Sequence, residues 1–318
     1  MKMVSQNSLS SNLSSNLDPL AILIGGPTAS GKTHLAFELA RKFPSVVVNA
    51  DSMQIYNELQ ILTNQPSCEE RKKIDCELFG YMNYPESCNV ALWGKHVKQV
   101  LLNNKHKVPI FVGGSGMYLN SIINEVSEIP NINPRVRKSV RQIQKKYGNN
   151  FLFEKLKTKS SQYINKLQVN DTQRIIRAME VQISTGKPIF EWYKKRKNHK
   201  FKRILYVVLT LERSELYRRI NKRCEKMIEL GIINEIEKFL SKNEIKKNHP
   251  LHKAIGLNIF RKYILLKTNF DSSMNEFKKD TRRYAKRQIT WFKNKSDIAK
   301  QLDYSEAKNY ILNNLNKN

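Results

Sequence analysis

The residues best suited to chemistry fall in a few short segments of the first 120 residues. Gly26-Pro27-Thr28-Ala29-Ser30-Gly31-Lys32-Thr33 fits the pattern GxxxxGK[ST], between an apolar run and an amphipathic one. A loop of this kind turns backbone N–H groups and a helix N-terminus towards one point, a cradle for phosphate. Lys32 adds a point charge, and the Thr33 hydroxyl suits Mg²⁺. Residues 26–33 are therefore expected to hold a phosphorylated ligand. A nucleotide-hydrolysing loop is usually accompanied by a carboxylate at the end of a neighbouring strand. Here the run VPIFV leads instead into Gly113-Gly114-Ser115-Gly116. The carboxylate at a strand end is Asp51, in Asn49-Ala50-Asp51-Ser52-Met53-Gln54. Residue types alone leave three roles open for it: general base beside the phosphates, displaced Mg²⁺ ligand, or helix N-cap.

The elements that position these segments follow from periodicity. Leu20–Gly25, Val46–Ala50, Val108–Val112 and Ile204–Leu211 are short, almost wholly apolar runs, as buried parallel strands require. Between them lie helical patterns, one with Leu35, Ala36, Leu39 and Ala40, another over Val90–Leu102. This alternation predicts an α/β fold, a P-loop NTPase-like parallel sheet with helices on both faces. From Ile132 to about Arg196 no strand is expected. Asp171 can cap a helix whose stripe is Ile175, Ile176, Met179 and Ile183, ending at Gly186. The predicted organisation is a flexible arm (1–17), a first part of the core (18–130) and an all-helical insertion (131–200). A second part of the core with a basic helix (201–295) and a C-terminal tail (296–318) complete it.

Composition narrows the partners. Among 318 residues, 56 are basic and 28 acidic, a formal charge of +28, while 40% are apolar. Wholesale disorder is excluded, and nucleic acid or another polyanion is the expected partner. No apolar run reaches the roughly 18 residues of a membrane span, and a cytoplasmic, monomeric protein is expected. Cys68, Cys76, Cys88 and Cys224 lack the spacing of zinc or redox sites, so isolated thiols are expected. His249 and His252 have metal-like spacing but no further ligands nearby, and read as ordinary histidines. The charge concentrates in 277–293, where Lys279, Arg282, Arg283, Lys286 and Arg287 share one broad helical face. Phe277, Tyr284, Ile289 and Phe292 recur at near-helical intervals in the same segment. Such a face can track a phosphate backbone, with Tyr284 and Trp291 available to stack on bases.

Together these features resemble one family, the bacterial tRNA dimethylallyltransferases, also called tRNA isopentenyltransferases. The family's GPTASGKT is identical to Gly26–Thr33, and its DSxQxY is Asp51 to Tyr56. Its GGTGLYL is Gly113 to Leu119 with Ser115 for the Thr and Met117 for the Leu. Its NDxxRxxRALEV matches Asn170, Asp171, Arg174, Arg177, Ala178, Glu180 and Val181, with Met179 for the Leu. Its TRxYAKRQxTWFR is Thr281 to Lys293, ending in Lys. The chain departs from GTAKP at Leu62-Thr63-Asn64-Gln65-Pro66 and lacks a histidine pair around Ile74–Leu78. It also departs from RAxGYRE at Lys253-Ala254-Ile255-Gly256-Leu257-Asn258-Ile259. Lys253 keeps the charge of that Arg but not its bidentate fork.

The resemblance implies transfer of a dimethylallyl group from dimethylallyl diphosphate to tRNA. The acceptor is the exocyclic amine of the adenosine 3′ of the anticodon, and diphosphate is released. It implies Asp51 as base, Lys32 and Thr28 on the diphosphate, and Mg²⁺ at Thr33. It implies tRNA contacts at Asp51, Ser52, Met53, Gln54, Ser115 and Lys253. Arg137 with Gln173, Arg174, Ile175, Ile176 and Arg177 is implied to grip the anticodon arm. Lys286, Arg287, Gln288, Ile289, Thr290, Trp291, Phe292 and Lys293 are implied on the other side. A P-loop nucleotide or small-molecule kinase, and an RNA-binding protein with a vestigial P-loop, are the alternatives. The basic helix disfavours the first, and intact Lys32 and Asp51 the second.

Overall fold

The computed structural model describes residues 20–124, 126–127, 129–159, 167–194, 201–296 and 298–315. The arm expected at 1–17 lies outside them. Described residues within 1–123 and 199–318 form one compact unit, and those within 124–198 a second.

The larger unit begins with β1 (Leu20–Gly25), the P-loop, α1 (Lys32–Ala40) and β2 (Ser45–Asn49). Two short helices, α2 (Gln60–Thr63) and α3 (Cys68–Lys72), lead to β3 (Cys76–Glu77), α4 (Val90–Asn103), β4 (Val108–Val112) and α5 (Gly116–Ile123). The smaller unit carries α6 (Pro134–Lys159), α7 (Thr172–Thr185) and α8 (Ile189–Lys194). The chain then resumes with β5 (Arg203–Leu209), α9 (Arg213–Glu229), α10 (Ile232–Lys242), α11 (Leu257–Ile264) and α12 (Phe270–Lys295). It closes with β6 (Lys300–Leu302) and α13 (Tyr304–Leu315).

The strands make one sheet in the order β3-β2-β4-β1-β5-β6, and every pairing in it is parallel. Strand alternation divides β1 between two cores. Ala21 and Leu23 meet Trp93 of α4, Leu216 of α9 and Phe292 of α12. Ile22 and Ile24 meet Leu35 of α1 and Ile311 of α13 on the opposite face. The expected α/β architecture with helices on both faces is what forms. Two strands were not legible, β3 and β6. The segment read as a tail adds β6 to the edge of β5 and buries Ala307 and Ile311 of α13.

In the smaller unit Asp171 caps α7 by accepting from the Arg174 N–H at 3.2 Å, and Gly186 ends it in the left-handed region at φ 70°. Its core gathers Val140, Leu152, Ile175, Ile176, Met179 and Val181. Ile183, expected in that stripe, is 51% exposed. Among the described residues no helix is long and apolar enough to cross a membrane.

Candidate active site

The site forms at the carboxyl ends of β1, β2 and β4, where open parallel sheets place their ligand crevices. Beyond β1 the loop bends through Gly26 at φ 141°, Ala29 at φ 65° and Gly31 at φ 91°. A side chain at Gly26 would meet the Leu209 carbonyl at 2.9 Å, so the turn requires glycine there. Gly31 caps α1 without a side-chain hydrogen bond, which leaves the first N–H groups of that helix to an anion. The buried Ser30 hydroxyl has no partner among the described residues. Lys32 donates from Nζ to the Pro27 carbonyl at 2.6 Å. Burial pushes its ammonium down to about 7, which Arg223 reinforces and Asp51 opposes. An anion beside Lys32 restores the charged form.

Asp51 follows β2 and is held by its backbone. Asn49 accepts from the Asp51 N–H at 2.9 Å and donates to the Asp51 and Leu78 carbonyls at 3.1 and 2.9 Å. Trp93 in turn donates to the Asn49 carbonyl at 2.9 Å. Asp51 Oδ1 accepts from the Met53 N–H at 2.9 Å. Residues 52–55 are a turn, not a helix, so the N-cap role is corrected to an Asx turn. Oδ2 accepts no hydrogen bond from the described residues, and Asp51 lines a cavity of about 600 Å³ together with Thr28, Lys32 and Thr33.

The double glycine that follows β4 makes this approach possible. A Cβ at Gly113 would lie 2.1 Å from the Ala50 carbonyl oxygen, and one at Gly114 would lie 2.1 Å from Gln288 Nε2. Gln288 lies across the cavity on α12. Its Oε1 accepts from the Thr28 N–H at 2.8 Å and its Nε2 donates to the Gly114 carbonyl at 2.9 Å.

Sequence reasoning misses two residues that build the candidate site. Arg223 of α9 donates to Thr28 Oγ1 at 2.6 Å and lines the cavity; burial lowers its pKa. Glu235 of α10 accepts from the Ile61 and Leu62 N–H groups at 2.7 and 2.9 Å. It thereby pins the cavity-lining segment where the chain departs from the family pattern. Both stand outside any motif, and no sequence signal marked them. In that segment Gln65, in place of the family lysine, turns inward and donates to the Tyr56 carbonyl at 2.6 Å.

The expected tRNA residues divide by exposure. Ser52, Met53, Gln54, Lys253 and Arg287 line the cavity. Gln54 Nε2 donates to the Thr63 and Asn64 carbonyls, and Ser115 Oγ accepts from the Ser52 N–H at 3.1 Å. On α12, Lys286, Ile289, Thr290 and Lys293 are exposed. Arg282 donates to Asn221 Oδ1 at 2.7 Å and Arg283 pairs with Asp280 at 3.2 Å, so the basic face is partly engaged. Phe292 is buried against Gly25, and the half-buried Trp291 packs over Gly116. In the smaller unit Arg137, Gln173 and Arg174 are exposed, and Arg177 Nη1 lies 3.8 Å from Glu180. Ile175 and Ile176 are buried in that unit's core. The side chains of Ile175, Ile176 and Phe292 are thus packed inside their units and support their helices.

Among the described residues no group of three or more His, Cys, Asp or Glu is arranged to hold a metal. Mg²⁺ fits the site nonetheless, since it is commonly held by substrate phosphates, water and one or two protein oxygens, and Thr33 lines the cavity. His249 is satisfied, bonding the Glu86 carbonyl at 2.7 Å and the Leu251 N–H at 3.2 Å, and the four cysteines are free.

Comparison with known proteins agrees with this geometry. The family model for IPP transferase matches residues 54–295, and that for isopentenyl transferase matches 20–78. The chain is 36% identical to a tRNA dimethylallyltransferase of Pelagibacter ubique, covering 91% of this chain and 93% of the relative. It is 38% identical to one from Bartonella henselae, covering 86% and 95%. Among solved structures, a tRNA isopentenylpyrophosphate transferase from Bacillus halodurans aligns at a TM-score of 0.66 and 28% identity, covering 94% of this chain and 97% of that one. A eukaryotic dimethylallyltransferase, described as acting on tRNA, aligns at 0.78 and 26% identity, covering 90% and 74%. With a family model spanning most of its length and relatives above one-third identity, this chain belongs to the IPP transferase family.

Proposed function

We propose that this chain transfers the dimethylallyl group of dimethylallyl diphosphate to the exocyclic amine of the adenosine 3′ of the anticodon in tRNA. The observation that carries this reading is the uncommitted Asp51 Oδ2 in the cavity that the phosphate loop lines. The adenosine amine is a weak nucleophile because its lone pair is delocalised into the ring. A base must take its proton as the new C–N bond forms, and Asp51 Oδ2 serves. The diphosphate rests on the loop amides with Lys32, Arg223 and Thr28 around it, so charge growing on the leaving group meets fixed donors. The Thr33 hydroxyl, which lines the cavity, would hold a Mg²⁺ ion, and that ion would supply further charge neutralisation for the leaving group. Leu62, Met227, Ile255 and Phe277 give the cavity an apolar wall that suits the five-carbon chain. The acceptor base cannot react while stacked and must swing into the cavity, where Gln54, one of its lining residues, reads it.

Incubation with unmodified tRNA and labelled dimethylallyl diphosphate tests the reading. Label in RNA at the adenosine beside the anticodon is expected. Phosphoryl transfer from ATP to a small acceptor, with no label in RNA, overturns it in favour of a kinase.

A further inference from the structure

The smaller unit carries a feature that the cavity does not explain. Tyr147 and Phe151 of α6 are 51% and 37% exposed, and their rings stack with centroids 4.8 Å apart and planes at 29°. The core makes no demand for them, because Leu152 and Leu156 of the same segment already fill it. Lys146 Nζ lies 5.1 Å from the Tyr147 ring centre and Lys155 Nζ 4.9 Å from that of Phe151. The surrounding helix has nine basic residues and one acidic over 134–159. The segment is also held in place. Gly148 breaks α6 at φ 78°, and the next residue, Asn149, ties the break to the start of α7. It donates to the Val169 carbonyl at 2.9 Å and Thr172 Oγ1 at 2.8 Å, and accepts from Gln144 at 3.0 Å.

We propose that the Tyr147–Phe151 pair is a stacking shelf for an unpaired nucleotide of the tRNA, with Lys146 and Lys155 taking the flanking phosphates. The proposal rests on the tRNA reading above. Exposed cation–π contacts are weak, and a phosphate offers each ammonium a full opposite charge. Drawing the lysines to phosphates bares the ring faces, on which a base of any identity stacks. An acidic peptide would use the charges and leave both ring faces idle, so RNA is the occupant that uses the whole feature. Because Asn149 holds the break, little ordering is needed on binding.

The test uses the full chain and unmodified tRNA, titrated at several salt concentrations, with dimethylallyl diphosphate kinetics measured alongside. Tyr147→Leu/Phe151→Leu keeps apolar bulk but removes both π faces. It should weaken tRNA binding about tenfold, leaving the salt slope and the KM for dimethylallyl diphosphate unchanged. Tyr147→Phe/Phe151→Tyr keeps both rings and should bind as the parent does. Lys146→Gln/Lys155→Gln should lower the salt slope by up to about two. Parental tRNA affinity in the Leu variant overturns the proposal and leaves the shelf to a protein partner. Joint loss of tRNA and dimethylallyl diphosphate binding also overturns it, by making the rings structural. Failure of the unaltered chain to bind tRNA overturns the functional reading itself, and is distinguished by occurring without any substitution.

Discussion

Gln288 accepts from the Thr28 N–H at 2.8 Å, joining α12 to the phosphate loop across 260 residues of sequence. Its amide nitrogen is spent on Gly114, so one buried side chain sets the separation of the loop from the end of β4. Gln288→Ala leaves both backbone groups unpaired, at a cost of about 1–3 kcal/mol. A lower melting temperature and a higher KM for dimethylallyl diphosphate are expected. A melting curve that does not move would show that water replaces the amide.

Under the proposed function, Lys32 faces the diphosphate in the ground state and in the transition state. Lys32→Ala should therefore raise the KM for dimethylallyl diphosphate and also lower kcat, with the tRNA term nearly unchanged. Steady-state kinetics with each substrate varied in turn checks this. Normal diphosphate kinetics in the variant would mean that the loop serves another ligand.

The exposed end of α12 bears on recognition. Lys286 and Arg287 are exposed, and a side chain that neutralises one phosphate adds up to about one to the slope of log K against log salt. Lys286→Gln/Arg287→Gln should bind tRNA more weakly with a flatter salt dependence. An unchanged slope would place this end of the helix off the RNA.

What the sequence made legible was local. The P-loop announces itself through spacing and a strand–helix context, and β4 is found at its expected bounds because VPIFV is wholly apolar. β6 is Lys300-Gln301-Leu302, with no apolar pattern, and becomes a strand only by pairing with the edge of β5. The basic segment is legible as a helix but its faces only in part, since Ile289 is exposed while Gln288 is buried. Arg223, Glu235 and the Gln288 bridge depend on contacts across 173 to 260 residues, which no window of sequence contains.

α13 lies beyond the segment that matches the IPP transferase family model, yet it braces the phosphate-loop helix. Tyr304 donates to Glu38 at 2.9 Å, and Lys308 also bonds that carboxylate. These bonds hold Glu38 below its ordinary value of 4.5. A carboxylate with a depressed folded pKa adds stability above its unfolded pKa and loses it as pH falls through the folded one. Glu38→Gln should lower the melting temperature at pH 7, by an amount equivalent to about 1 kcal/mol or less. The difference should close as pH falls below about 4.5. A constant difference at every pH would assign the effect to packing.

Single-turnover transfer with tRNA prebound isolates the step in which Asp51 Oδ2 takes the proton from the adenosine amine. Asp51→Asn should lower the transfer rate by roughly 10²–10⁴ while tRNA affinity changes little. Collapse of tRNA binding with the transfer rate intact would contradict this role, making Asp51 a recognition residue.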